Sequence, residues 1–486
     1  MNPKNSFSNY KFPNILFILT DQQRWDAIST HDKFYITNNL EHFSKESVIF
    51  ENCFTNSPVC IPSRLALATG LYPHNLGVTR NKPHDLPINY DTWMKHAKKN
   101  GYYTCAFGKT HLHRHGGDLR DRLNLMQQYG FDFIDEIAGP HASANSKSNL
   151  TDFWDEHGLY ESYRRDMRDR KKAAFPESRP LPFAKEFYPD AYVRDRFCNF
   201  LKQYKYDTPW CAFVGFSGPH EPWDAPQEYL DQYKDRELSP SRFLLSGEKV
   251  FERSINAKRM SKGVNNIINN RNFSALRKDY AASVTFLDDL IGDIFRLMQE
   301  LGYYENTLII FSSDHGEMNG DYGLLNKQCF FDGAVRVPLI VKPPASRIKR
   351  PYYVNHLVSL FDVAATISDY SSNELAPVKN HELAFSRSLR PLVEQAFQEC
   401  ETINPLIVPR DYAVSEYRNE LMLVTANHKF MFNKSAFCYA VFDRISDLRE
   451  EHNIMSSIAT RKDILKDTSA AANILLRIYL STQDHA

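Results

Sequence analysis

Asp21 and Gln22 stand directly after the apolar run NILFILT, and Asp314 and His315 directly after TLIIFSS. Two carboxylates, an amide oxygen and an imidazole brought together would make a ligand set for a divalent cation. The oxygens suit calcium or magnesium, and the imidazole is better tolerated by manganese or zinc. A lone aspartate at such a place is ordinarily a cap or turn residue, so the reading requires the runs to end at one edge of the fold. Lys109 and His111 follow YYTCAFG, His220 follows WCAFVGFSG, and Lys327 lies beyond Asp314. Lysines supply point charges for a tetrahedral oxyanion, and histidines protonate a leaving oxygen near neutral pH. The stretch GKTHLHRH (108–115) also reads as a metal-binding histidine cluster or as a plain polar loop after a strand. Finally, CIPSRLALATG (60–70) sets Cys60, Pro62, Ser63 and Arg64 within five positions.

The elements that must position these residues are legible in the apolar pattern. Each of the four runs is strand-sized, apolar on both faces and closed by a polar tip, as in a sheet covered by helices on both sides. Between them lie helical signals: Tyr280, Val284, Leu287, Ile291, Ile294, Met298 and Leu301 recur at three- and four-residue steps, and Gly302 offers a stop. Helix, strand and polar tip in repetition describe an α/β fold with a large, mostly parallel sheet, whose ligands sit beyond the carboxyl ends of the strands. Residues 143–190 and 233–275 are expected to be polar excursions over the sheet edge or rim, with the basic run near 163–172 a solvated helix face. After residue 365 the alternation fades into LMLVTA, HKFMFN and CYAVFD, then the helical tail AANILLRIYLST. This predicts a catalytic unit over 1–365 and a smaller C-terminal α+β domain over 366–486 with an antiparallel sheet.

Bulk composition narrows the partners. Lys plus Arg equals Asp plus Glu at 59 each, so no global field points to nucleic acid or an anionic membrane. The eight cysteines show no C-x-x-C spacing, against a structural zinc site or a disulfide scaffold. The run ILFIL is too short for a membrane or signal segment, and the expected location is cytoplasmic.

The chemistry-bearing stretches together resemble one family. CIPSRLALATG is similar to the sulfatase signature, and DQQR, GKTHLH, GPHEPW, SDHGE and NK follow the family's motif order. The chain is identified as resembling a type I, formylglycine-dependent sulfatase of the alkaline-phosphatase-like superfamily, over roughly residues 12 to 345. That resemblance implies that Cys60 is oxidised to formylglycine by a formylglycine-generating enzyme, and that the aldehyde hydrate is the nucleophile. It implies one divalent metal ion, calcium first and magnesium or manganese as alternatives, on Asp21, Gln22, Asp314 and His315. Arg64 would hold a diol oxygen, Lys109 and Lys327 would bind sulfate oxygens, His220 would be the general acid and His111 would assist collapse of the diol. The alternative to conversion is a buried, unmodified cysteine.

Gln22 stands where many of these enzymes have aspartate and also occurs in relatives that cleave phosphonate monoesters and phosphodiesters, whereas the pair Lys109 and His111 favours sulfate. The expected substrate is a sulfate ester of a carbohydrate or small alcohol, with Trp223 stacking on a sugar face and Asp224 binding hydroxyls. The competing readings are a phosphonate monoester or phosphodiester hydrolase with the same nucleophile, and a catalytically silent binder of sulfated ligands. Oligomeric state is left open.

Overall fold

Alternate residues of Asn14–Thr20 (β1) enter opposite cores: Leu16 and Ile18 pack in one apolar cluster, and Ile15, Phe17 and Leu19 in another. The two-residue period of a strand puts neighbours on opposite faces, so a run apolar at every position has to lie between two layers. This computed structural model describes residues 12–172, 178–242, 244, 254, 273–346, 348–372, 385–398, 410–433, 435–457 and 462–480. Its main sheet adds Val48–Phe54 (β2), Tyr103–Gly108 (β3), Phe133–Glu136 (β4), Trp210–Gly215 (β5), Thr307–Ser313 (β6), Leu339–Lys342 (β7) and Tyr352–Ser359 (β8). The strand order is β8-β2-β7-β6-β1-β5-β3-β4. All pairings are parallel except those of β7, which runs antiparallel to β2 and β6.

The four predicted runs are therefore neighbours, β6-β1-β5-β3, and their carboxyl ends share one edge. Register places Thr20 opposite Ser313 and Gly108 opposite Gly215. The residues that follow each strand are thereby delivered side by side. The long helix Phe273–Glu300 carries the predicted stripe, with Tyr280, Val284, Leu287, Ile291, Ile294 and Met298 all buried, and it stops before Gly302, whose φ is 77°. A fully buried aliphatic side chain contributes about 1.5–3 kcal/mol, so this stripe alone ties the helix firmly to the sheet.

Much of the expected excursion at 143–190 is helical: Asn149–Glu156, Tyr160–Lys172 and the start of Pro189–Gln203. Tyr160–Lys172 contains most of the basic run, and it buries Tyr163, Asp166, Met167 and Arg170. Most of 233–275 lies outside the described residues. The boundary expected after residue 365 falls inside the helix Asp362–Ser371, whose Val363, Ala364 and Ile367 pack in the main core.

The C-terminal strands form a separate antiparallel sheet, Ala413–Tyr417 (β9), Glu420–Val424 (β10), His428–Asn433 (β11) and Cys438–Asp443 (β12). One face meets the terminal helix Lys462–Leu480 through Ile464, Ala471, Leu475 and Ile478. The other packs Met422, Met431, Tyr439 and Phe442 against Phe54 at the end of β2 and Met318, Phe330 and Phe331 of the segment after β6. Among the described residues no helix is long and apolar enough to cross a membrane.

Candidate active site

Asp21 and Asp314 are the first residues past the neighbouring strands β1 and β6, and both are fully buried. Cys60 opens the helix Cys60–Thr69 after an extended Val59. Arg64 lies one turn on, and side chains four apart share a helix face, so thiol and guanidinium point to the same place. The helix is pinned there because Ser63 Oγ donates to the Asp314 carbonyl at 2.6 Å, as does Thr55 Oγ1 at 2.6 Å. Arg64 then donates to Asp314 Oδ2 at 2.7 Å, Asp21 Oδ2 at 3.2 Å and the Lys109 carbonyl at 2.5 Å. Lys109 follows Gly108, whose φ of 92° and close approach to the Gly215 carbonyl leave no room for a side chain. Its Nζ donates to Asp21 Oδ2 at 2.6 Å.

Cys60 Sγ is 3.1 Å from His315 Nε2 and 3.6 Å from Asp21 Oδ1. His315 Nδ1 faces the Gly316 carbonyl at 3.0 Å, which assigns the proton to Nδ1 and turns the Nε2 lone pair inward. That nitrogen lies 3.7 Å from Asp21 Oδ1 and 3.6 Å from Asp314 Oδ1. Asp21 Oδ1, Asp314 Oδ1, which also accepts from the Gln22 and His315 amides at 3.1 and 2.9 Å, and the His315 lone pair converge as acceptors, the arrangement a divalent cation requires. Ligand atoms of Asp21, Cys60, Asp314 and His315 all lie within 4.8 Å of one another. Burial and Lys327 push His315 below the usual histidine range, against the pull of Asp314 and Asp21, which favours the neutral ligand form. Burial also opposes the charge on Asp21, but Lys109 foremost, with His220 and Arg64, outweighs it and holds that carboxyl well below the ordinary range.

Gln22 sits in the left-handed region at φ 73°; its amide oxygen accepts from Lys327 Nζ and its amide nitrogen donates to Glu317. Burial works against the Lys327 ammonium, yet Cys60, Glu221, Asp21 and Asp314 raise it above lysine's usual value. His220 Nδ1 contacts the Glu221 carbonyl at 2.7 Å, leaving Nε2 as its other polar atom. Its loop is anchored by Asp190, which accepts from the Ser217 and Gly218 amides at 2.6 and 2.9 Å, and by the Asp21 amide donating to the Gly218 carbonyl at 2.9 Å. His111 has φ 59° and a buried Nδ1 with no hydrogen-bond partner; burial, then Lys109, hold its imidazole well below the histidine range.

The structure thus joins Asp21, Cys60, Arg64, Lys109, Asp314 and His315 directly, joins Lys327 through Gln22, and sets His220 and His111 in the surrounding field. Trp223 departs from expectation. It is 1% exposed, its indole donates to the Pro219 carbonyl at 3.0 Å and its ring meets Tyr280 edge-on. No free face remains for stacking on a sugar. Asp224 is half-buried and lines a narrow cavity with Asp190 and His220, and burial pushes its carboxyl up to about 7 against the pull of Arg170. Sequence reasoning passed over Glu317 and Glu221, although SDHGE places a carboxylate two residues beyond His315 and GPHEPW one beside His220.

A mostly parallel sheet, covered on both faces, gathers carboxylates, an imidazole, lysines and a helix-borne cysteine at its strand tips, on an alkaline-phosphatase-like fold. The family model described as Sulfatase matches residues 13–372, and the chain belongs to that family; it is a sulfuric ester hydrolase. An arylsulfatase of Clostridium perfringens is 26% identical over 461 residues, 92% of this chain and 90% of the relative. The phosphonate monoester hydrolase of Agrobacterium radiobacter superposes with a TM-score of 0.74 at 23% identity, over 97% of this chain and 96% of that one. A structure in complex with its substrate D-glucosamine-2-N,6-O-disulfate superposes with a TM-score of 0.70 at 19% identity, over 98% and 99%.

Proposed function

We propose that the chain hydrolyses a sulfate ester of a carbohydrate or small alcohol through a formylglycine derived from Cys60. The observation that carries the reading is the position of Cys60 Sγ, 3.1 Å from His315 Nε2 and 3.6 Å from Asp21 Oδ1, above Arg64 in a cluster closed to solvent. The donor set fits a divalent cation, with calcium the proposed ion, held by Asp21, Asp314, His315 and Gln22, whose amide oxygen has a second lone pair beside its Lys327 contact. When bound, the cation would supply Lewis acidity beside residue 60.

In the proposed cycle one hydroxyl of the hydrated aldehyde passes its proton to Asp21 Oδ1, which accepts from the residue-60 side chain, and attacks sulfur, and the bond from sulfur to the substrate alcohol breaks. His220 gives its proton to the departing oxygen, while Lys109, Lys327 and Arg64 neutralise charge on the transferring group. The remaining hydroxyl then loses its proton with help from His111, the carbon–oxygen bond to sulfate breaks, and the aldehyde returns for rehydration. A plain serine would stop at a stable sulfate ester; the second hydroxyl opens the way out.

The carbohydrate class rests on the substrate of the structural relative, since Trp223 offers no stacking platform. Gln22 keeps the phosphonate reading as the rival. The test is peptide mass analysis across residue 60 after co-expression with a formylglycine-generating enzyme, followed by rates on an aryl sulfate and an aryl phosphonate monoester. An aldehyde at 60 with preference for the sulfate is expected. A persistent thiol in active enzyme overturns the nucleophile, and a phosphonate preference of orders of magnitude overturns the substrate.

A further inference from the structure

The function above uses Lys109 and His111 of GKTHLHRH and leaves His113 and His115 without a task. Both imidazoles turn toward Glu136, the last residue of β4, one strand outward from Lys109 on the same sheet edge. His113 Nε2 is 2.6 Å from Glu136 Oε2, and His115 Nε2 is 3.2 Å from Glu136 Oε1. Ligand atoms of these three residues lie within 4.8 Å of one another. Their side chains are 0%, 5% and 4% exposed.

The groups around the trio orient it as a ligand set. His113 Nδ1 faces the Arg114 carbonyl at 2.9 Å, which assigns its proton there and directs the Nε2 lone pair at the carboxylate. In the neutral imidazole that arrangement sets a lone pair against a carboxylate oxygen, so a positive charge has to be present, either a proton or a cation. The Thr110 hydroxyl donates to Glu136 Oε1 and fixes the carboxylate plane. Partners of this kind, a carbonyl on the second imidazole nitrogen and a hydroxyl on the carboxylate, are those that hold metal ligands in place. A proton shared by His113 and Glu136 serves one imidazole and an Nε2–H of His115 would serve the other; a cation would replace both protons, taking the two Nε2 lone pairs and the carboxylate that converge there.

We propose that His113, His115 and Glu136 form a second cation site, distinct from the Asp21 and Asp314 cluster, that takes a borderline divalent ion of the zinc class. Two imidazoles and one carboxylate are a zinc donor set with a fourth position left for water, whereas the first cluster is richer in hard oxygen. Tetrahedral zinc holds neighbouring donors about 3.3 Å apart; the His115 contact has that spacing and the shorter His113 contact would open as its proton leaves. The site closes the loop that carries Lys109 and His111, and the His111 ring lies 4.6 Å from that of His115. Its role is to position that loop.

The test uses the full chain, stripped with chelator, resupplied with excess calcium and titrated with zinc, then with cobalt as a visible-absorbing substitute. One equivalent of zinc is expected with calcium present, with tetrahedral cobalt bands and a zinc-edge absorption shell of two imidazoles plus oxygen. His115→Ala and Glu136→Gln should each weaken that equivalent by at least about 100-fold, since even outer partners of metal ligands are worth 10–100-fold, while zinc-free melting temperature and near-ultraviolet dichroism report the fold. Failure of the wild-type chain to take up zinc, zinc held only by oxygen or sulfur, or undiminished binding in both variants overturns the proposal. These readouts do not require turnover or conversion of Cys60.

Discussion

Two buried charge clusters draw on the segment that joins β6 to β7, one through Asp332 and Arg336, the other through Asp314 and His315. In one, Lys429 of the C-terminal sheet reaches Asp332, Glu450 Oε1 and, at 3.2 Å, the Phe330 carbonyl, while the Asp332 amide donates to Glu450 Oε2 at 2.7 Å and Arg336 stands 3.6 Å from Asp332. Two cations meet two carboxylates there, and the contacts close on themselves. In the other, Arg64 and Lys109 satisfy the outer oxygens of Asp21 and Asp314, while the inner oxygens, the His315 lone pair and Cys60 Sγ face a common point. A closed cluster returns its desolvation cost in structure. An open one turns its lone pairs toward a shared point, the arrangement a cation site needs.

Cys60→Ala should break the open cluster most completely, with turnover of an aryl sulfate falling by about 10⁴-fold or more, the scale of nucleophile loss, at unchanged melting temperature. Retained activity would remove Cys60 from the chemistry. Lys327→Ala takes away the cation proposed to bind the transferring group and should lower kcat by about 10²–10³-fold; an effect confined to KM would make it a binding group only. Lys429→Met inverts the pattern: breaking a closed buried network costs about 3–5 kcal/mol of stability, read by denaturant unfolding, with kcat and KM held. Loss of activity in well-folded Lys429→Met would erase the distinction between the two clusters.

The smallest effect concerns a buried cation that donates to carbonyls and lies 4.6 Å over the Tyr304 ring. Lys342 Nζ donates to the carbonyls of Tyr304, Thr307 and Pro343 at 2.9, 3.4 and 3.3 Å, and burial pushes it down to about 8, partly offset by Glu305 and Glu46. Between pH 8 and the unfolded lysine value of about 10.4 the unfolded chain binds more protons than the folded one. Stability should therefore rise with pH across that window in the wild type relative to Lys342→Met. Parallel stability curves for the two would show that carbonyls leave the ammonium at its ordinary value.

The strands whose tips gather at the site were legible because each is apolar on both alternating faces, and a two-residue period with both faces apolar has few readings other than an inner strand of a covered sheet. β7, the antiparallel strand, was not legible: LIVK is too short to announce direction, and its pairing with β2 and β6 depends on partners far away in the chain. The C-terminal sheet was readable as strands but not as a clamp. Ser57 Oγ donates to the Glu416 carbonyl at 2.8 Å and the Glu416 amide to the Asn56 carbonyl at 2.9 Å, so the second sheet grips the chain three residues before Cys60. Trp223 shows the reverse limit, because an aromatic residue after a catalytic motif reads equally as platform or packing, and only its neighbours Pro219 and Tyr280 decide.

By itself the amino-acid sequence determined the order of strand tips, the residue types each tip carries and the Cys60-to-Arg64 spacing that puts both on one helix face, because these depend on periodicities of a few residues. The tertiary structure decided which polar atoms meet: Gln22 with Lys327 and Glu317, about 300 positions away, the inward nitrogen of His315, and the turning of His113 and His115 onto Glu136. Side-chain direction in a buried site is set by the partners that cancel its desolvation, and those partners come from other strands.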